Sequence, residues 1–384
     1  MTDQKLPLVE AAYDKTFLNF SKGIPGFSIL PTEELSQASI EFAQKKDADY
    51  LTYGHWQGNG YLRRSLAHFL AEQLGFSVDI DELFITSGNS QTININCSMY
   101  SSPGDTVLVE ELTYFLALDI FKSQRLNPIP VRVDEQGLDP DDLESILKRE
   151  KVAPKFLYVI PAFSNPTGYN LSEERKERIV ELSEKYRFKI IADEVYQMLY
   201  FNTPPPPSFG KYIGSDQVVS AGTFSKILAP GVRLGWIHGS PQVIKEFENT
   251  GIAISAGAYA QFSTGPILSV LDSGMQLSYL NRIKAIFKRR CDLMDEGIKT
   301  HFPESVRYHK PEGGYFFWLE FPDGVKTDDY VSGARELGVG FTPGRLCSAE
   351  ATHHNCMRLS YAFYEEDDIE IGIEKLGRYL KSQI

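Results

Sequence analysis

The sequence predicts an α/β fold, a mostly parallel central sheet flanked by helices, with a smaller α+β domain beside it. Three observations carry this reading. From about residue 83 onward, short β-branched runs alternate with helical patterns, and strands joined by crossover helices pair in parallel. The chain has 384 residues, 42% hydrophobic and 23% charged, a globular composition with length for more than one domain. The last third then changes character, from strand–helix alternation to a long charged helical pattern followed by an aromatic run.

The elements follow in order. Residues 83–86 read as a strand, leading through Ser87-Gly88-Asn89-Ser90 into a helix that Cys97 and Met99 mark as half-buried. Residues 106–110 are a second short strand and 156–161 a buried one. Ser172 is a good N-cap for a helix over 172–187, with Glu173 and Glu174 favoured at its positive end. Strands over 189–193, 217–221 and 233–238 complete the series. The four prolines at 204–207 suit neither helix nor central strand and read as a stiff surface connection. A helix over 275–301 leads into Gly313-Gly314-Tyr315-Phe316-Phe317-Trp318. Pieces at 339–342 and 357–362 and a closing helix from Asp367 follow. The expected division is a large domain over 45–289 and a small one built from 1–44 and 290–384.

Charge and composition exclude several functions. With 51 acidic and 39 basic residues the net charge is -12, which argues against a nucleic-acid surface. No window approaches the roughly 18 apolar residues of a membrane span. The first fifteen residues show neither a secretory nor a transit pattern. Four cysteines without a C-x-x-C pair point to a reducing compartment. A cytoplasmic location is the expectation.

Three polar residues stand out by position. Asn165 follows the 156–161 strand, Asp193 ends the next, and Lys226 lies just past the one after. Ligands of open parallel sheets bind outside the carboxyl ends of the strands. One edge therefore receives an amide, a carboxylate and an amine, a set that by spacing alone names no ligand.

The motifs around them also carry a likeness. Asn165-Pro166-Thr167-Gly168, Asp193-Glu194-Val195-Tyr196 and the run from Ser225-Lys226 to Arg233-Leu234-Gly235 resemble class I/II aminotransferases of pyridoxal-phosphate fold type I. The likeness runs from Asn19 to about Ala362. It is nearest to the 2-aminoadipate and kynurenine aminotransferase branch, through Ile24-Pro25, Leu51-Thr52-Tyr53, Gly313-Gly314 and Arg358-Leu359-Ser360-Tyr361-Ala362.

The resemblance implies pyridoxal 5′-phosphate as cofactor and a role for each position. Lys226 would form the Schiff base and carry a proton, which requires a partly deprotonated amine. Asp193 would keep the pyridine nitrogen protonated, so that the ring serves as an electron sink. Asn165 and Tyr196 would hydrogen-bond the ring oxygen. Arg233, with the Thr223 and Ser225 hydroxyls and the backbone amides at Gly88-Asn89-Ser90, would hold the phosphate. Tyr114 would stack on the ring. Arg358 would clamp the substrate carboxylate, shared with Asn165, and Gly23 would line the substrate cleft. Tyr53 would reach the phosphate of a second subunit, which implies a homodimer. The implied reaction moves an amino group from an L-amino acid to a 2-oxo acid, 2-oxoglutarate or pyruvate.

Other readings stay open here. A C–S or other β-lyase, or a synthase, uses the same lysine, aspartate and arginines. Regulators with this domain carry a winged-helix region before it, for which a match starting near Asn19 leaves no room. Cys347, His353, His354 and Cys356 lie close together but without the spacing of a zinc site, so no metal is expected. The branch often has two glycines where Lys22-Gly23 stands. Lys22 in the cleft would favour an acidic side chain, and otherwise it faces solvent. Ser90 stands where glutamine is usual. Arg345-Leu346-Cys347-Ser348 replaces a loop that is often aromatic, which counts against an aromatic-substrate pocket there.

Overall fold

The computed structural model describes residues 9, 13–149, 153–257 and 259–384; most of the amino-terminal stretch read above for a leader lies outside them. Seven strands build the large sheet: β1 Leu83–Thr86, β2 Thr106–Glu110, β3 Asn127–Val131, β4 Phe156–Val159, β5 Lys189–Asp193, β6 Val218–Thr223 and β7 Gly235–Gly239. Their spatial order is β1-β7-β6-β5-β4-β2-β3, parallel except for β7, which runs antiparallel to both neighbours. The central strands are apolar on both faces because both are covered. Phe156, Tyr158, Ile191 and Val219 pack on one side and Leu157, Val159, Ile190 and Ala192 on the other.

Strand β3 was not legible, since it contains Pro128 and Pro130. It tolerates them as an edge strand. The Asn127 N–H donates to the Asp105 carbonyl at 2.9 Å, so the period of two turns both proline nitrogens away from β2.

Five helices matter for the site: α1 Asn89–Tyr100, α2 Phe115–Ser123, α3 Glu173–Tyr186, α4 Met275–His301 and α5 Glu366–Gln383. Ser172 caps α3 as expected, its hydroxyl accepting from the Arg175 N–H at 3.3 Å. The proline stretch at 204–207 is less superficial than its composition implies. Pro205 to Pro207 are half-buried, and the carbonyls of Pro206 and Pro207 accept from the buried Lys176 Nζ at 3.2 and 2.6 Å.

A second, antiparallel sheet is formed by β8 Arg307–Tyr308, β9 Phe316–Glu320, β10 Thr342–Pro343 and β11 Cys356–Ser360, in the order β8-β9-β11-β10. The strand expected over 339–342 divides. Val339–Gly340 pairs in parallel with Leu18–Asn19, while Thr342–Pro343 joins the sheet. That pairing ties the amino-terminal segment to the last third of the chain. Helix α4 runs unbroken through 289–290 and packs on α5. Among the described residues no helix is long and apolar enough to cross a membrane.

Candidate active site

A cavity of about 250 Å³ opens between the carboxyl ends of the large-sheet strands and the small sheet. Its floor comes from β5 and β6. Asp193 ends β5, and Lys226 lies in the one-turn helix Phe224–Ile227 directly after β6. Thr223 caps that turn, its hydroxyl accepting from the Ser225 N–H at 3.1 Å and donating to the Leu234 carbonyl at 3.0 Å. The opposite wall is Ser21 and Gly23 from the amino-terminal segment, with Phe316 of β9 and Arg358 of β11.

Lys226 Nζ donates to the Gly23 carbonyl at 2.8 Å. Burial brings its pKa down to about 8; Asp193 opposes the shift, and Arg358 and Arg233 add to it. Each oxygen of Asp193 accepts one hydrogen bond: Tyr158 donates its hydroxyl to Oδ2 at 2.7 Å, and Asn89 Nδ2 donates to Oδ1 at 2.6 Å. Burial holds this carboxyl above the ordinary aspartate value, against those two hydrogen bonds.

At the other end of the cavity Arg233 sits against the start of α1. Its Nη2 donates to the Ser87 carbonyl at 2.9 Å and its Nη1 contacts Ser225 Oγ at 3.3 Å. Gly88 makes the approach feasible: its φ is +84°, and a Cβ there would lie 2.8 Å from Arg233 Nη2. A guanidinium, hydroxyls and the amino end of a twelve-residue helix together form an anion site.

Arg358 is buried among aromatic rings, 4.3 Å from the Phe316 centroid and 5.4 Å from that of Phe115. Its Nη1 donates to Asn165 Oδ1 at 2.7 Å and its Nη2 to the Ser21 carbonyl at 2.7 Å and Thr342 Oγ1 at 3.2 Å. Its Nε is buried with no partner. Tyr196 is buried against Tyr315 and Phe316, and burial lifts the Tyr114 phenol to about 12.

The candidates from the sequence thus share one cavity, with one exception. Asn89, Ser90, Tyr114, Asn165, Tyr196, Thr223 and Ser225 line it along with the residues above. Tyr53 lies outside it, with 79% of its surface exposed. Lys22 neither lines the cavity nor simply faces water: its Nζ rests 4.3 Å from the Phe363 ring centroid. Cys347 and Cys356 are buried with Leu112 and Trp318, and among the described residues no group of three or more metal-binding side chains gathers.

Sequence reasoning missed Tyr158, Ile24, Phe115, Leu116 and Phe316. Tyr158 had one usable signal, a hydroxyl inside an apolar strand. Its bond to Asp193 also needs the β4–β5 register, in which Tyr158 faces Ile191, two residues before Asp193.

Comparison with known proteins identifies the family and the fold. The family profile for aminotransferase class I and II matches residues 15–376. The chain is 30% identical to an aromatic-amino-acid aminotransferase of Thermococcus litoralis, over 99% of this chain and 91% of that one. The crystal structure of the Pyrococcus horikoshii kynurenine aminotransferase in complex with PMP superposes with a TM-score of 0.89 at 30% identity, covering 96% and 92% of the two chains. The α-aminoadipate aminotransferase LysN of Thermus thermophilus, complexed with N-(5′-phosphopyridoxyl)-L-leucine, superposes with a TM-score of 0.85 at 29% identity, covering 96% of this chain.

Proposed function

The chain belongs to the class I and II aminotransferases, pyridoxal-phosphate enzymes of fold type I that move an amino group between an amino acid and a 2-oxo acid, and we propose that Lys226, Asp193 and Arg358 carry that reaction here. The observation behind the proposal is their meeting in one cavity: a buried amine of depressed pKa, a carboxylate held by two donors, and a guanidinium with an unpartnered Nε.

The donor set fits the cofactor. Arg233, Ser225, Thr223 and the backbone amides of Asn89 and Ser90 would hold its phosphate, Asp193 its ring nitrogen, Asn165 and Tyr196 its ring oxygen, and Tyr114 its ring face. When bound, the cofactor supplies an electron sink for the charge left at Cα. The chain's own groups do the rest. Lys226, about half neutral near pH 8, would take the proton from Cα and deliver it to the cofactor's C4′ carbon, which is what moves the amino group off the amino acid. Arg358 and Asn165 orient the substrate carboxylate, and Asp193 keeps a negative charge against the ring nitrogen. Phe115 and Phe316 shield the guanidinium from water, which strengthens its hold on the carboxylate.

Much of the remaining lining is apolar, Ile24, Phe115 and Leu116 among it, and favours an amino donor with a neutral, apolar side chain. The acceptor in this reading is 2-oxoglutarate or pyruvate. The domain division at 45–289 against 1–44 and 290–384 belongs to the same proposal, as does a cytoplasmic location. So does a homodimer in which Tyr53 reaches the partner's phosphate. Leu51, Tyr53, Trp56 and Tyr61 are large apolar side chains left exposed on one segment, with Phe262 on the segment packed beside it.

The test is a visible absorbance titration of cofactor-loaded protein with acidic, aliphatic, aromatic and sulfur-containing amino acids, alongside Lys226→Ala. Bleaching by one class and recovery with a 2-oxo acid is the expected result. A persistent band with ammonia or pyruvate accumulating would replace transamination with lyase chemistry. A band that survives in Lys226→Ala would remove the lysine from its role.

A further inference from the structure

Asp193 has a task that its surroundings oppose. It is buried, and burial favours the protonated form. A neutral carboxyl there would leave the cofactor ring nitrogen without its counter-charge. Two side chains counter this. The Tyr158 hydroxyl donates to Oδ2 at 2.7 Å and Asn89 Nδ2 to Oδ1 at 2.6 Å, so each oxygen accepts one hydrogen bond. Hydrogen bonds to the ionised form of a carboxylate favour that form and fix its plane.

The two donors arrive from different elements. Tyr158 projects from the middle of β4, the neighbour of β5, and is itself fully buried among Phe121 and Phe156. Asn89 is the first residue of α1, and its Nδ2 also lies 3.3 Å from the Ala221 carbonyl of β6. Asp193 is therefore gripped from both flanks of its own strand. A second acid lies close by. Glu110, at the end of β2, has its Oε2 bonded to the Ile160 N–H at 2.8 Å, and burial raises it to about 8. It is largely neutral near pH 7, which leaves Asp193 to carry the charge.

We infer that Tyr158 and Asn89 act as a two-sided clamp that keeps the Asp193 carboxylate ionised and aimed at the cofactor ring nitrogen. Tyr158 is thereby a positioning residue, since it lines no part of the cavity. The same observation gives Asn89 a side-chain role beyond its backbone amide. The inference rests on the reading of Asp193 given above.

The experiment reads the cofactor and needs no turnover. Apoprotein is loaded with pyridoxal phosphate labelled with ¹⁵N in its ring, and the ring-nitrogen NMR signal and the cofactor dissociation constant are measured at neutral pH. Wild type, Tyr158→Phe, Asn89→Ala and Asp193→Asn are compared. The clamp predicts that Tyr158→Phe moves the ¹⁵N signal toward its unprotonated position and weakens cofactor binding roughly tenfold. Asn89→Ala moves both in the same direction, and this second variant carries the test if Tyr158→Phe fails to fold. A wild-type ring-nitrogen signal in Tyr158→Phe or in Asn89→Ala, with Asp193→Asn shifted, would overturn the clamp and leave Asp193 in place. A wild-type signal in Asp193→Asn would instead remove the underlying reading of Asp193.

Discussion

Lys226 Nζ and the Gly23 carbonyl oxygen lie 2.8 Å apart, joining the end of the large sheet to the amino-terminal segment that pairs with Val339–Gly340. The contact depends on Gly23 having no side chain. A Cβ there would lie 2.8 Å from Phe316 Cζ and 3.2 Å from Cε1. Gly23→Val should displace the carbonyl and the lysine with it. The expected loss in kcat/KM is at least about tenfold, or about 1.4 kcal/mol, with a nearly unchanged melting temperature, checked by steady-state kinetics and thermal unfolding.

The acid–base behaviour of Lys226 has a defined sign. Burial, reinforced by Arg358 and Arg233 and opposed by Asp193, gives a pKa of about 8, so the amine is cationic below and neutral above. The rate at which apoprotein captures pyridoxal phosphate should rise about tenfold per pH unit up to roughly 8 and then level off. Stopped-flow absorbance measures this, and a flat profile from pH 6 to 9 would contradict it. Linkage runs the same way. The unfolded chain keeps this proton up to 10.5 and the folded chain loses it near 8, so this group's contribution to stability increases between those values.

Arg358 should not tolerate lysine. Its guanidinium bonds Asn165, Ser21 and Thr342 at once while lying over the Phe316 ring, and an ammonium lacks both the fork and the planar face. Arg358→Lys is expected to lower kcat/KM by about a hundredfold for amino and 2-oxo acids alike. Cofactor affinity should hold, as an apoprotein titration would verify.

Lys176 offers a contrasting, structural case. It is fully buried, donates to the Pro206 and Pro207 carbonyls, and lies near the carboxylate of Glu194. Lys176→Met strands the Pro207 carbonyl, while that of Pro206 keeps the Gln197 Nε2 donor at 3.0 Å, and it removes a counter-charge. A loss of about 2–4 kcal/mol is expected, read by denaturant unfolding, with KM for substrate unchanged.

The exposed apolar segment makes its own prediction. Leu51→Asp places a charge on a surface where Leu51 and Tyr53 are 78% and 79% exposed. If that face joins two copies, the variant sediments as a monomer and binds the cofactor at least tenfold more weakly. Wild-type sedimentation and affinity in the variant would exclude the interface.

Much of the architecture was legible because parallel strands buried on both faces are written as continuous apolar runs. Strands β1, β2 and β5 and helix α4 fall where the pattern put them. Strand β3 was hidden by its prolines, which only an edge position makes permissible, and an edge is a property of the assembled sheet. Composition alone puts the proline stretch at 204–207 on the surface, because it does not reveal the buried ammonium beneath it.

The site divides along similar lines. Residue type and strand-end position were enough to pick out Asn165, Asp193 and Lys226, since local geometry brings the ends of neighbouring parallel strands to one edge, whereas Arg233 came from the family resemblance. Where Lys22 turns, how Asp193 is held by Tyr158 and Asn89, and which apolar residues line the cavity were settled by tertiary structure alone. Those contacts join residues far apart in the chain, 104 positions for Asn89 and Asp193 and more than three times that for Lys22 and Phe363. They depend on strand register and on the packing of two sheets, and no local pattern records either.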